Sequence, residues 1–406
     1  MSKLNVTSEV GKLKKVLLHR PGLELEHLTP KWLNQLLFDD IPWLDKAQEE
    51  HDEFRNILVA NGVEVVYLDD LVVEALADKQ VKNSFINQFI KESSVHNKNT
   101  IKKLKAYLNS LSLSLMVKET MAGIPKTKLE GYRLTSLKER IDDYPFLTDP
   151  MPNLYFTRDP FSVIAGGVTI NKMFSNVRQR ETIYAEYIFK YHKQYHNSPQ
   201  FYSRYFDSSI EGGDILVINE KMVAVGISER TDPDAIETLS HQLFEQTNVE
   251  YVIAIDMPKK RAFMHLDTIL TQVDLYKFLV HHDFLQKLNI YIIKKGSKKE
   301  SLVITKKYET LKRVFSRLLK NSITMIPCGN NDAIASDREQ WNDGANTLAI
   351  SPGVVIVYER NPITNKLLQA EGIKVIPMTS SELSRGRGGP RCMSMPLYRE
   401  DLEDYI

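Results

Sequence analysis

Hydrophobic and polar positions along this chain follow two different periods. The segment Lys12–Gly22, KLKKVLLHRPG, is an apolar run closed by Pro-Gly, the pattern of a strand ending in a turn. A helix is predicted over Asp45–Ala60 and a second strand over Val63–Leu68. Between Val63 and Ala122 there is neither Gly nor Pro. After Leu68 the apolar positions recur every three or four residues: Leu71, Val72 and Leu76, then Phe85, Ile86, Phe89 and Ile90, then Ile101, Leu104 and Leu108. That is the period of amphipathic helices. The expected organisation is an α/β domain made of 1–69 and 149–406, with a helical subdomain inserted over 70–148.

Elsewhere a shorter layout repeats. An acid or amide heads an apolar strand, then come a turn and often a second strand. It is read in the segments that begin at Asp159, Asp214, Asp267 and Asn346. The second and fourth share a Gly-x-[Asp/Asn] opening, Gly212–Asp214 and Gly344–Asn346, and a Glu-Arg close, Glu229–Arg230 and Glu359–Arg360. The N-terminal VLLHRPG resembles the close of the fourth, VIVYERNP. Repeated supersecondary units point to a pseudo-symmetric array, and five of them can close radially with polar strand ends facing the centre.

Composition narrows the function classes. Of 406 residues, 42% are hydrophobic and 26% charged, the balance of a globular protein, and the net charge of +1 lacks the basic excess of a nucleic-acid binder. No signal peptide is read at the N-terminus, and no run reaches the roughly 18 apolar residues of a membrane span. Neither a nucleic acid nor a membrane is expected as a partner. The two cysteines, Cys328 and Cys392, form no CxxC pair, so a reducing cytoplasm is the expected location.

The candidate chemistry starts at Ser384–Leu397, SRGRGGPRCMSMPL. Its glycines and proline make it a loop, Arg385, Arg387 and Arg391 make it cationic, and Cys392 ends it. Neighbouring positive charge is expected to favour the thiolate, the reactive form. Cys328, in MIPCGN, lacks that context and reads as a packed, inert thiol. In MHLD, Met264–Asp267, a strand would turn His265 and Asp267 to one face, suiting a general acid/base. EGGD, Glu211–Asp214, sets two carboxylates around two glycines. MPNLYFTRDP, Met151–Pro160, interleaves Asn153, Arg158 and Asp159 with an aromatic anchor. No further His, Cys or acidic ligands fall at metal-site spacing, so no metal and no cofactor are expected. A thiol, an imidazole and several carboxylates suit a cationic substrate. Guanidinium fits, because it is planar, permanently charged and matched bidentately by carboxylates.

Taken in order, KLKKVLLHRPG, MPNLYFTRDP, GGVTINKM leading to RQRE, EGGD, GISERT, MHLDT and RGRGGPRCMSMPL resemble the arginine deiminase family of the guanidine-modifying superfamily over nearly the whole chain. The resemblance implies a five-bladed α/β propeller with a helical insertion. It also implies hydrolysis of free L-arginine to L-citrulline and ammonia. In this likeness Cys392 is the nucleophile and His265 the general acid/base. Glu211 orients the histidine, and Asp159 and Asp267 hold the guanidinium. Arg178, Arg230 and Arg387 bind or screen the substrate α-carboxylate, Asn153 is a polar substrate contact and Phe156 lies beside the aliphatic part of arginine. Gly388 belongs to the loop that closes over the ligand. The implied path is attack by Cys392, loss of ammonia, and hydrolysis of an S-alkylthiouronium. A homo-oligomer, first of all a dimer, is expected. Alternatives that share the motifs are enzymes acting on dimethylarginine or agmatine, an amidinotransferase, and a non-catalytic arginine-binding protein.

Overall fold

A computed structural model describes residues 4–93, 95–132, 137, 141, 143–298 and 301–405. The strand expected at the N-terminus is Leu13–Leu18 and the one after the first long helix is Glu64–Tyr67; they pair in parallel. The helix between them, Leu44–Ala60, buries Leu44, Ala47, His51, Phe54 and Leu58, alternating steps of three and four that lay one face on the sheet. The C-terminal strand Met395–Arg399 completes this sheet, antiparallel to Leu13–Leu18.

Four more sheets repeat the plan of an antiparallel strand pair, a helix, and a third strand parallel to the second. Phe161–Ile164 and Gly167–Ile170 are followed by the helix Thr182–Tyr191 and the strand Gln200–Tyr202. Ile215–Asn219 and Met222–Ile227 are followed by Pro233–Gln246 and Tyr251–Asp256. Leu270–Asp274 and Lys277–Val280 lead to Leu311–Leu319 and Thr324–Pro327. Leu348–Ser351 and Val354–Tyr358 lead to Pro362–Ala370 and Lys374–Met378. A long hairpin, Lys287–Lys295 with Leu302–Thr310, widens the second of these sheets through Tyr251–Asp256.

The polar residues that head the repeats converge. Asp159, Asp214, Asp267, Asn346 and Cys392 are all buried just ahead of a strand, each in a different sheet. Hydrogen bonds link the heads in a closed circuit. Gly212 N donates to Asp159 O at 3.1 Å and Leu266 N to Asp214 Oδ1 at 2.9 Å. Asn346 Nδ2 donates to Asp267 O, Cys392 N to Asn346 Oδ1, each at 3.0 Å, and Arg158 N to Cys392 O at 3.1 Å. Buried backbone and side-chain polar groups are thereby satisfied where five sheets meet.

The helical stretch predicted after Leu68 consists of Leu68–Ala75, Lys79–Glu92, Lys98–Ser110 and Leu113–Ala122. Asp78, Asn97 and Ser112 cap three of these helices through their side chains. The apolar face lies on the helix Thr182–Tyr191, with the Phe85 ring 6.0 Å from Tyr184 and 5.2 Å from Tyr187. Beyond Ala122 the chain forms a short strand pair, Ile124–Pro125 with Phe146–Thr148. The rest of the expected helical unit, at 133–136, 138–140 and 142, lies outside the described residues. Among the described residues no helix is long and apolar enough to cross a membrane.

Candidate active site

Cys392, His265 and Asp159 line one cavity of about 190 Å³, together with Asn153, Phe156, Arg178, Arg230 and Arg387. Leu37, Asp39, Glu229, Met264 and Gly386 complete its wall. Glu211 and Asp267 stand directly behind the lining. His265 Nε2 lies 2.8 Å from Glu211 Oε2, and His265 Nδ1 lies 3.8 Å from Asp159 Oδ1.

The placement of His265 corrects the strand expected for MHLD. His265 precedes a 3₁₀ turn, Leu266–Thr268, and the strand begins only at Leu270. The turn separates the two side chains, so the carboxylate partners of His265 come from Glu211 and Asp159 and not from Asp267. EGGD has a steric role in this arrangement. A Cβ at Gly213 would lie 2.7 Å from His265 Cγ, and one at Gly212 would lie 2.0 Å from the carbonyl of Arg158. The second carboxylate of that motif, Asp214, is structural. It accepts from Leu266 N, Ser228 Oγ and Thr231 Oγ1, and burial raises its pKa to about 6.

Two carboxylate oxygens in this centre are orphaned. Neither Asp159 Oδ1 nor Asp267 Oδ1 has a hydrogen-bond partner among the described residues, although both atoms are buried. Their other oxygens are occupied. Asp159 Oδ2 accepts from Arg178 Nη1 at 3.0 Å, and Asp267 Oδ2 accepts from Arg391 Nη1 at 2.8 Å and from the Cys392 thiol at 3.4 Å. Leaving buried acceptors unpaired is costly, so such atoms mark a place for an incoming donor.

The cationic-loop expectation is corrected by these pairings. Arg391 is taken by Glu9 and Asp267, Arg385 by Asp40 and Glu382, and Arg387 lies over the Trp341 ring. Burial pushes the Cys392 thiol well above its ordinary pKa, Asp267, Asp159 and Asp343 add to that, and Arg391 only partly opposes them. The resting group is therefore the thiol. His265 goes the other way. Burial pulls it down, but Asp159, Glu211 and Asp214 outweigh burial and hold the imidazolium up to about 9. Cys328 is buried against Thr364, its pKa pushed up to about 12 mainly by burial, which fits an inert thiol.

Arg178 lines the cavity, but its guanidinium is engaged by Glu181 through Nε and Nη2 and by Asp159 through Nη1. Arg230 reaches Glu211 at 3.3 Å, and Asn153 Nδ2 donates to Leu36 O. The glycines of the Cys392 loop permit close packing. A Cβ at Gly386 would lie 1.9 Å from the Tyr155 hydroxyl, and one at Gly388 would lie 2.2 Å from the Phe156 ring. Arg387 between them takes the left-handed backbone region at φ 63°.

Glu9, Glu181 and Trp341 were not singled out from the sequence as site residues, and Arg391 reads there only as one charge of the cationic loop. The acid-or-amide repeat offered a signal for Asn346, since it marks the same position that Asp159, Asp267 and Cys392 hold in their sheets.

A family model described as arginine deiminase matches residues 34–399. The chain belongs to the arginine deiminase family. An arginine deiminase of Bacillus cytotoxicus is 50% identical over 406 residues, covering 98% of this chain and 99% of that protein. Among solved structures, an amidinotransferase of saxitoxin biosynthesis from Microseira wollei aligns with a TM-score of 0.57 at 16% identity, covering 98% of each chain. A dimethylarginine dimethylaminohydrolase aligns with a TM-score of 0.52 at 15% identity, covering 94% of this chain and 99% of that one. The mixed α/β fold is thus that of the guanidine-modifying enzymes, and the family is that of hydrolases acting on a guanidino C–N bond.

Proposed function

We propose that this arginine deiminase-family chain hydrolyses free L-arginine to L-citrulline and ammonia through a covalent adduct on Cys392. The observation that carries the reading is the pair of orphaned oxygens, Asp159 Oδ1 and Asp267 Oδ1, around a thiol and a protonated imidazole. A guanidinium between them supplies the missing donors and offsets the negative charge that, on top of burial, holds the thiol protonated. Substrate binding then lowers the thiol pKa and raises the small thiolate fraction beside its electrophile.

In this mechanism the Cys392 thiolate bonds to the guanidinium carbon. His265 gives its proton to the departing nitrogen, and the C–N bond breaks. The thiol proton leaves with the ammonia as ammonium. An S-alkylthiouronium remains on Cys392. Neutral His265 takes a proton from water, and the hydroxide adds to the same carbon. The C–S bond breaks, the hydroxyl proton returns to sulfur, and citrulline departs with the thiol and imidazolium restored. Glu211 orients His265 and keeps it charged.

Arg230 and Arg387 at the cavity rim support a substrate with an α-carboxylate over agmatine, which has none. Phe156 serves the aliphatic chain, Asn153 a polar contact, and Gly388 the closing loop. Arg178 is assigned to the same carboxylate as a screen through charge, with Asp159 as its direct partner. The circuit of strand heads supports a radial five-bladed propeller, and the four helices after Leu68 support an inserted helical subdomain at 70–148. The working form is read as a cytoplasmic homodimer with no cofactor, supported by the free thiols and by exposed Val303, Ile304 and Tyr308 on an outer strand.

Mass spectrometry of enzyme quenched during turnover tests the reading, together with citrulline and ammonia assays on arginine, agmatine and dimethylarginine. An amidino mass on Cys392 with citrulline from arginine is expected. Turnover without any adduct on that residue would overturn it.

A further inference from the structure

We infer that Asn346 is a catalytic residue of this site, whose side-chain amide donates a hydrogen bond to the Cys392 sulfur and stabilises the attacking thiolate. The inference rests on the reading of Cys392 as nucleophile. Asn346 Nδ2 lies 3.1 Å from Cys392 Sγ. The orientation of the amide is set by its other two bonds. Nδ2 also donates to Asp267 O at 3.0 Å, and Oδ1 accepts from Cys392 N at 3.0 Å. A flipped amide would face a carbonyl with its oxygen and an N–H with its nitrogen. Asn346 is completely buried, so no water substitutes for it. Gly389 keeps the loop against it, because a Cβ there would lie 2.9 Å from Asn346 Oδ1.

Charge explains why an amide stands here. Asp159, Asp214 and Asp267 occupy the corresponding heads of three other sheets. Asp159, Asp267 and Asp343 all oppose the Cys392 thiolate; Arg391 faces Asp267, and Arg178 and the His265 imidazolium face Asp159. A fourth carboxylate at 346 would add a like charge within contact of the sulfur. The amide keeps the acceptor that fixes the Cys392 backbone and turns a donor toward the developing anion.

The test uses the full chain with Asn346→Ala and Asn346→Asp, the second retaining the Oδ1 acceptor. Iodoacetamide alkylation of Cys392, followed by mass spectrometry without substrate, reads the thiolate directly. The alkylation rate at pH 8 is expected to fall about 10-fold in the Ala variant and further in the Asp variant, as the thiol midpoint rises by about 1 unit or more. kcat should fall by about 100-fold while KM for arginine stays within a few-fold. Alkylation profiles that coincide with the parent overturn the inference, and should Asn346→Ala lose its melting transition, the Asp variant decides. A parent enzyme that makes no citrulline, yet keeps the alkylation contrast, would overturn the substrate reading alone.

Discussion

The guanidinium carbon of Arg387 lies 3.4 Å from the centre of the Trp341 ring. Arg387 is buried and lines the cavity, and half-exposed Trp341 packs against its guanidinium. Stacked over the aromatic face, and with Nη1 4.0 Å from Asp39 Oδ2, the arginine keeps its position in the cavity wall. Trp341→Leu should therefore raise KM for arginine by about 2- to 30-fold, the range of a cation–π contact of about 0.5–2 kcal/mol, with a smaller change in kcat. Steady-state kinetics checks this, and an unchanged KM would mean that Arg387 holds its place without the ring.

Cys392→Ala should reduce citrulline production below detection and leave arginine binding measurable by calorimetry, because both orphaned aspartate oxygens remain. Binding lost together with turnover would place the sulfur in substrate recognition as well.

The three arginines of the cavity should respond differently. Arg230→Ala and Arg387→Ala are expected to weaken arginine relative to agmatine. Arg178 pairs with buried Asp159 and Glu181, and removing it leaves Glu181 uncompensated and Asp159 with only the His265 imidazolium. Arg178→Ala should cost about 3–5 kcal/mol of stability and weaken both ligands through Asp159, arginine somewhat more than agmatine through the lost screening of its α-carboxylate. Chemical denaturation and competition binding separate these outcomes.

In the proposed mechanism His265 carries a proton to the departing ammonia, and its pKa is held up to about 9. The log of kcat/KM should accordingly fall on the alkaline side near that value. Glu211→Gln removes a negative charge 2.8 Å from the ring, which disfavours the imidazolium. The alkaline limb should move to lower pH by about 1 unit or more. A limb that stays in place would assign it to another group.

Gly388→Ala tests the fit of the loop. The added methyl meets the Phe156 ring at 2.2 Å. Activity should drop at least about 10-fold through displacement of the loop, while far-UV circular dichroism stays that of the parent.

Much of this protein was legible in its sequence because the signals are local. The three-to-four spacing of Phe85, Ile86, Phe89 and Ile90 became the buried face of Lys79–Glu92. The strand in KLKKVLLHRPG formed where it was read. The acid-or-amide heads marked the starts of four sheets, and the ordered motifs carried the family. What the sequence could not decide depends on distance between segments far apart along the chain. The arginines around Cys392 look activating in one dimension, yet Glu9, from the other end of the chain, takes Arg391, and Asp267 faces the thiol. His265 and Asp267 look paired by spacing, but a 3₁₀ turn sends the histidine to Glu211. Coulomb interactions and desolvation act over a few ångströms of space without regard to sequence separation. The residue types were therefore set by the sequence, while the protonation state of the thiol and the partner of the imidazole were decided only when five sheets brought their heads together.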